Sequence, residues 1–159
     1  MKNKTKGFGL LEIVVAISII SFSLFSVMSA VIMALRVSEG SEKNIQAAYL
    51  LEEGVEVLRI LRDTSWQNNI ANITTGVNYY FIFNNNAWQA TTSATNLIDQ
   101  TFERKFVLEN VYRNGNDDIA QSGSLDNGTK KATVTVSWFT QKGTTTQNTA
   151  IYLTNIFSD

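Results

Sequence analysis

From Phe8 to Leu35 the chain reads FGLLEIVVAISIISFSLFSVMSAVIMAL, apolar throughout apart from Glu12 and a set of serines. About 20 apolar residues span a bilayer as a helix, so this run is long enough to cross with some tilt. The serines at 18, 21, 23, 26 and 29 do not interrupt it, because a Ser hydroxyl can hydrogen-bond back to its own helix. They also offer small faces where helices approach closely. After Leu35 the pattern becomes periodic. Ala48, Leu51, Val55, Leu58 and Arg62 recur at spacings of three and four, and Ile45, Ala47 and Leu61 widen the stripe. Glu52, Glu53, Glu56 and Arg59 are left to face water, with Glu56 in reach of Arg59. Helical character should extend to Asp63, with Ser38-Glu39-Gly40-Ser41 as its weakest point. Gly40 and Gly54 each cost about 1 kcal/mol of helix propensity relative to Ala, so either marks a bend or a close contact.

Beyond Asp63-Thr64-Ser65 the pattern turns to strands and polar loops. Residues 78–83 (NYYFIF), the three asparagines 84–86 and residues 87–91 (AWQAT) predict a hairpin. Residues 104–113 (RKFVLENVYR) alternate, with Phe106, Leu108 and Tyr112 on one face and Val107, Glu109 and Val111 on the other. Residues 131–139 alternate most cleanly, with Ala132, Val134, Val136 and Trp138 inward and Thr133, Thr135 and Ser137 outward. Residues 150–157 (AIYLTNIF) predict a last strand. Consecutive strands joined by short polar turns favour an antiparallel sheet packed on an amphipathic helix. The expected fold is therefore α+β: a long N-terminal helix whose second half packs on an antiparallel β head. The parts are a basic leader (1–7), a hydrophobic helix (8–35), an amphipathic half (36–63) and a β-rich head (64–159) that packs with 45–63.

Composition narrows the chemistry. With no Cys and no His in 159 residues, disulfides, thiolate metal sites and Ser-His-Asp or Cys-His catalysis are excluded. No spacing of carboxylates, Lys or Tyr singles out another catalytic set, so the expectation is a protein that is not an enzyme. The formal charge is −1 with no basic patch of the kind that binds nucleic acid. The lysines at 2, 4 and 6 stand next to the apolar run without a neighbouring acid, and the positive-inside rule places residues 1–7 in the cytoplasm. A secretory signal would have a shorter apolar region, of about 7–15 residues, followed by a small-residue cleavage site.

Glu12 is the odd residue. A charge at membrane depth costs roughly 2.5–3.5 kcal/mol on insertion scales. Near the cytoplasmic end it can snorkel to the headgroups, but a plain anchor gains nothing from it. Lys6-Gly7-Phe8-Gly9-Leu10-Leu11-Glu12 resembles the class III leader of type IV pilins and type II secretion pseudopilins: a short basic leader, Gly, Phe, a glutamate at the fifth position after the cut, and a long apolar helix. The resemblance covers residues 6–35. It implies a lollipop-shaped, pilin-like subunit cut between Gly7 and Phe8 by a prepilin peptidase and N-methylated at Phe8. It also implies that Glu12 pairs with the Phe8 amine of a neighbouring subunit during assembly. The implied partners are that peptidase, other pilin or pseudopilin subunits, an inner-membrane assembly platform and, before assembly, membrane lipid. The implied location is the cytoplasmic membrane, with the head outside, and then the pilus or pseudopilus. Gly9 stands where the family usually has Ser or Thr. The mid-helix proline frequent in major pilins is missing, since the chain contains none, which favours a minor pilin or pseudopilin. The alternative is a single-pass anchored module whose head binds a glycan or peptide.

Two features of the head tempt a ligand assignment. Asn114-Gly115-Asn116-Asp117-Asp118 and Asp126-Asn127-Gly128 offer oxygen ligands, and some pseudopilins of the resembled family bind calcium in a head loop. Asp117, Asp118 and Asp126 are the candidate ligands, but the spacing is not that of an EF-hand, and Asn, Asp and Gly are ordinary turn formers. The expected reading is a plain loop with no metal or other cofactor. Trp66, Trp88 and Trp138, with Tyr79, Tyr80, Phe81 and Phe83, could line a groove, but packing in the core is expected.

Overall fold

A computed structural model describes residues 9–94, 97–141 and 143–156. Helix α1 spans Leu10–Thr64, and β1 (Tyr79–Asn84), β2 (Ala87–Thr91), β3 (Phe102–Arg113), β4 (Ile119–Ala120), β5 (Ser124–Thr140) and β6 (Gly143–Thr154) follow. The fold is α+β, one long N-terminal helix packed against a six-stranded antiparallel sheet. The chain divides into two units between Asn44 and Ile45.

In the first unit α1 starts directly after Gly9, whose carbonyl accepts the backbone N–H of Glu12 at 3.0 Å. The hydroxyls of Ser18, Ser23, Ser26 and Ser29 each donate to the carbonyl four residues earlier, at 2.8–2.9 Å. The expected weak point at 38–41 does not break the helix. A single Gly costs only about 1 kcal/mol, and an ion pair between Glu39 and Lys43 at 2.9 Å bridges the turn that contains it.

The second unit holds the core. Here α1 buries Ala47, Leu51, Gly54, Val55, Val57, Leu58 and Leu61. The stripe is rotated from the expected one: Ala48 and Ile45 are exposed, and Gly54 is part of the contact face. The cause is the close approach of the sheet at Gly54, where a Cβ would lie 2.8 Å from Val134 Cγ1 and 3.5 Å from Phe81 Cε2. After α1 a π-helical turn, Gln67–Ala71, folds Trp66 and Ile70 into the core. Asn69 holds it by donating its side-chain amide to the Leu61 carbonyl at 3.0 Å.

Strand order in the sheet is β2-β1-β3-β5-β6, with β4 paired to β3. The hairpin turn is tighter than expected. Asn84 ends β1, and only Asn85 and Asn86 turn, at φ 50° and 62°. Ala132, Val134, Val136 and Trp138 of β5 are buried as the alternation predicts. The alternation of β3 fails beyond Asn110. Asn110 pairs with Lys130, but Val111 pairs with Asp126, so residues 127–129 have no partner on β3. This odd-numbered slip reverses the faces, and Val111 is buried where Tyr112 was expected. The β6 strand begins at Gly143, not at residue 150, and ends at Thr154.

Candidate functional site

Gly7 and Phe8, the expected cleavage and methylation positions, lie outside the described residues. Glu12 is described. It sits in the first turn of α1 with an exposed side chain, and no cation among the described residues pairs with it. A carboxylate in a first turn also complements the helix dipole, worth about 0.3–1 kcal/mol, so Glu12 favours helix formation at that position. From Leu10 to Leu35 every residue is exposed, including Leu10, Leu11, Phe22, Phe25 and Met33. Helix α1 is long and apolar enough to cross a membrane: its most apolar 18-residue window has a mean hydropathy of 2.4 and is 0% buried. By length and composition that is compatible with a single-pass anchor.

The acidic loop forms around an arginine. Arg113 donates from Nε to Asp126 Oδ2 at 2.7 Å and from a terminal nitrogen to the Asp117 carbonyl at 2.7 Å, while the Asp117 carboxylate lies 3.6 Å from Nε. The hydrogen bond to Asp126 raises the Arg113 pKa, and the same bond holds Asp126 below the usual carboxylate range. Asn114 Oδ1 accepts the backbone N–H groups of Asn116 and Asp118, an Asx-type turn. Gly123, at φ 146°, lies so close to the Arg113 carbonyl that a Cβ would be 2.0 Å from it. The structure thus brings Asp117 and Asp126 together, but around a guanidinium. Among the described residues no three of Asp, Glu, His or Cys form a group that could hold a metal ion.

The aromatic set divides. Trp66, Phe81 and Trp138 are core, with Phe81 stacked on Phe106 at 4.7 Å between ring centroids and Tyr79 on the same ring at 5.7 Å. Tyr80 faces the other way and donates to Glu103 at 3.2 Å. Phe83, 59% exposed, packs edge-on against half-buried Trp88 beside the Asn turn.

One polar centre escaped the sequence reading. Arg104, 7% exposed, reaches from β3 to α1, where its terminal nitrogens donate to the Leu50 carbonyl at 3.1 Å and to Glu53 at 2.8 and 3.3 Å. It also lies over the Phe81 ring at 5.2 Å, while its Nε is buried without a partner. Glu53 therefore faces the sheet's arginine rather than water alone. The signal was in the β3 alternation, which puts residue 104 on the same face as Phe106 and Leu108. A second buried cation, Lys130, donates to Asn110 Oδ1 at 2.6 Å beside the register slip.

Comparison with protein-family models, curated proteins and solved structures finds no match for this chain.

Proposed function

We propose that the chain is a structural subunit of a type IV pilus-like filament or secretion pseudopilus, of the minor-pilin kind. It is cut between Gly7 and Phe8 and assembled through its N-terminal helix. The observation that carries this reading is the contrast within α1. Residues 10–35 expose only apolar and small side chains, with one carboxylate in the first turn, and the same helix supplies the head with its core face. An apolar surface of this length needs lipid or copies of itself as its surroundings. A helix that moves from lipid into a bundle of its own kind also has a use for Glu12, which would meet an α-amino group there. In this reading residues 8–35 form the filament core and the head remains outside the membrane.

The test is the intact mass of the mature protein from cells that carry a prepilin peptidase. The expected mass is that of a chain beginning at N-methylated Phe8. A chain still beginning at Met1 or Lys2 would sink the proposal. The exposed Phe83 beside Trp88 favours one second reading, an anchored module that binds a glycan or peptide at the hairpin tip. That reading expects the unprocessed chain and a loss of ligand binding in Phe83→Ala.

A further inference from the structure

The charges of the sheet are distributed against the usual rule. Natural proteins guard sheet edges with charged residues, Pro, bulges or very short strands. In this sheet every charged residue lies on the interior strands, Glu103, Arg104, Lys105, Glu109 and Arg113 on β3 and Asp126, Lys130 and Lys131 on β5. The strands at the two ends of the path β2-β1-β3-β5-β6, AWQAT (β2) and GTTTQNTAIYLT (β6), carry no charge and no Pro. The pairing of β5 with β6 runs from Thr129↔Thr154 to Thr140↔Gly143 without a register shift, so no bulge turns the β6 edge away. Among the described residues each edge is paired on one side only.

The geometry of the edges matches. One row of partners crosses the sheet: Thr91, Tyr80, Lys105, Thr135 and Asn148. Every neighbouring pair is antiparallel, so β2 and β6 at the two ends run in the same direction. Residues 87–91 on one edge are level with residues 144–148 on the other.

We propose that these edges are the two halves of one contact between copies of this chain: residues 144–148 of β6 take β2 of the next copy as a parallel neighbour. The sheet then continues from head to head. Pairing β6 with β6 of a second copy would use the same strand on both sides. It would be two-fold, run the strands of the second sheet the opposite way and close that contact as a pair. Pairing β6 with β2 keeps all copies in one orientation and leaves a free edge at each end, the heterologous arrangement that builds open rows and filaments. A filament grows by adding each copy to the last through the same two unlike surfaces, which a closed pair cannot do, so the choice of occupant rests on the function proposed above. A parallel ladder is slightly weaker than an antiparallel one. The short β2 therefore gives a contact that depends on the high effective concentration of co-anchored subunits.

The chain has no Cys, so introduced thiols are the only ones in the protein. Gln89 and Thr146 lie two positions before Thr91 and Asn148, on the same face as each other. Parallel neighbours are about 4.8 Å apart, near the range a disulfide needs. Full-length Gln89→Cys and Thr146→Cys chains with different tags are co-expressed, and the membranes are mildly oxidised. The expected result is a mixed disulfide about tenfold more abundant than that between Gln89→Cys and a Glu109→Cys control on an interior strand. Yield no higher than the control, or Thr146→Cys linking mainly to itself, would overturn the contact. N-terminal masses from the same membranes separate the two ideas. Processed chains without the cross-link refute the edge contact alone. The cross-link between chains that still begin at Met1 upholds the contact and refutes the filament-subunit reading.

Discussion

Gly40 and Gly54 stand in the same helix and respond to alanine in opposite directions. Nothing lies within 4 Å of a Cβ at Gly40, so Gly40→Ala gains the helix-propensity difference of about 1 kcal/mol. At Gly54 the added methyl would meet Val134 Cγ1 at 2.8 Å and Arg104 Cδ at 3.4 Å. Gly54→Ala is expected to lose about 1–3 kcal/mol to overpacking, measured by chemical denaturation. The Arg104–Glu53 pair carries a second asymmetry. Glu53→Ala leaves a buried guanidinium with the Leu50 carbonyl and no carboxylate, a loss of about 3 kcal/mol. Arg104→Met also removes the orphaned Nε and leaves Glu53 half in water, so it should cost less. Asp126 sets part of the acid limit. Its hydrogen bond with Arg113 holds its pKa below the unfolded value of about 3.9. The stability it contributes is present above that value and is lost as pH falls through the folded pKa, because the unfolded chain takes up the proton first. Asp126→Asn should flatten the decline in Tm below about pH 4 relative to the parent. With Arg113 already between the acidic groups, millimolar Ca²⁺ should leave Tm unchanged at neutral pH. The alternation of β3 made the burial of Arg104 legible, whereas its partner was not, because a helix stripe read from apolar residues assigns every Glu to solvent.

At the scale of elements, the strands most easily read were those with one dry face. Residues 131–139 carry Val, Ala and Trp inward and Thr and Ser outward, and the buried face follows that pattern. The first part of β6 was illegible for a physical reason. An edge strand has little to bury, and of β6 only Leu153 is fully buried, so residues 143–149 show Thr, Gln and Asn on both faces. The slip after Asn110 was equally hidden, since it depends on residues 127–129 of another strand. The hairpin allows a direct test of turn chemistry. Asn85 and Asn86 both have positive φ, as a two-residue type I′ turn requires, and Gly is preferred at the second position. Asn86→Gly should raise Tm by a few degrees, equivalent to about 0.5–1 kcal/mol. Asn86→Val should lower it, since a β-branched residue resists that conformation.

For the whole molecule, the α+β fold and the membrane-length helix were legible in the sequence because apolar run length and period are set by solvent, whether lipid or water. The assembly proposal rests on the leader residues 6–12, of which Gly7 and Phe8 lie outside the described residues. Glu12 provides the test. Glu12→Ala removes a favourable dipole contact of at most about 1 kcal/mol, too little to prevent the helix from forming. Processing should stay normal while recovery of the subunit in sheared filaments drops about tenfold or more; unchanged recovery would remove Glu12 from assembly. Gly7→Val should instead block cleavage, leaving the longer chain in the membrane by mass. The serines of α1 have a mechanical consequence. The hydroxyls of Ser18, Ser23, Ser26 and Ser29 are committed to carbonyls of their own helix, so a neighbouring helix meets them as smooth, short side chains rather than as partners. In a bundle of such helices axial shear would break no directional bond at these four positions. Under the proposed assembly the rods would slide under tension and return, with the Glu12 pair as a detent that sets where they stop.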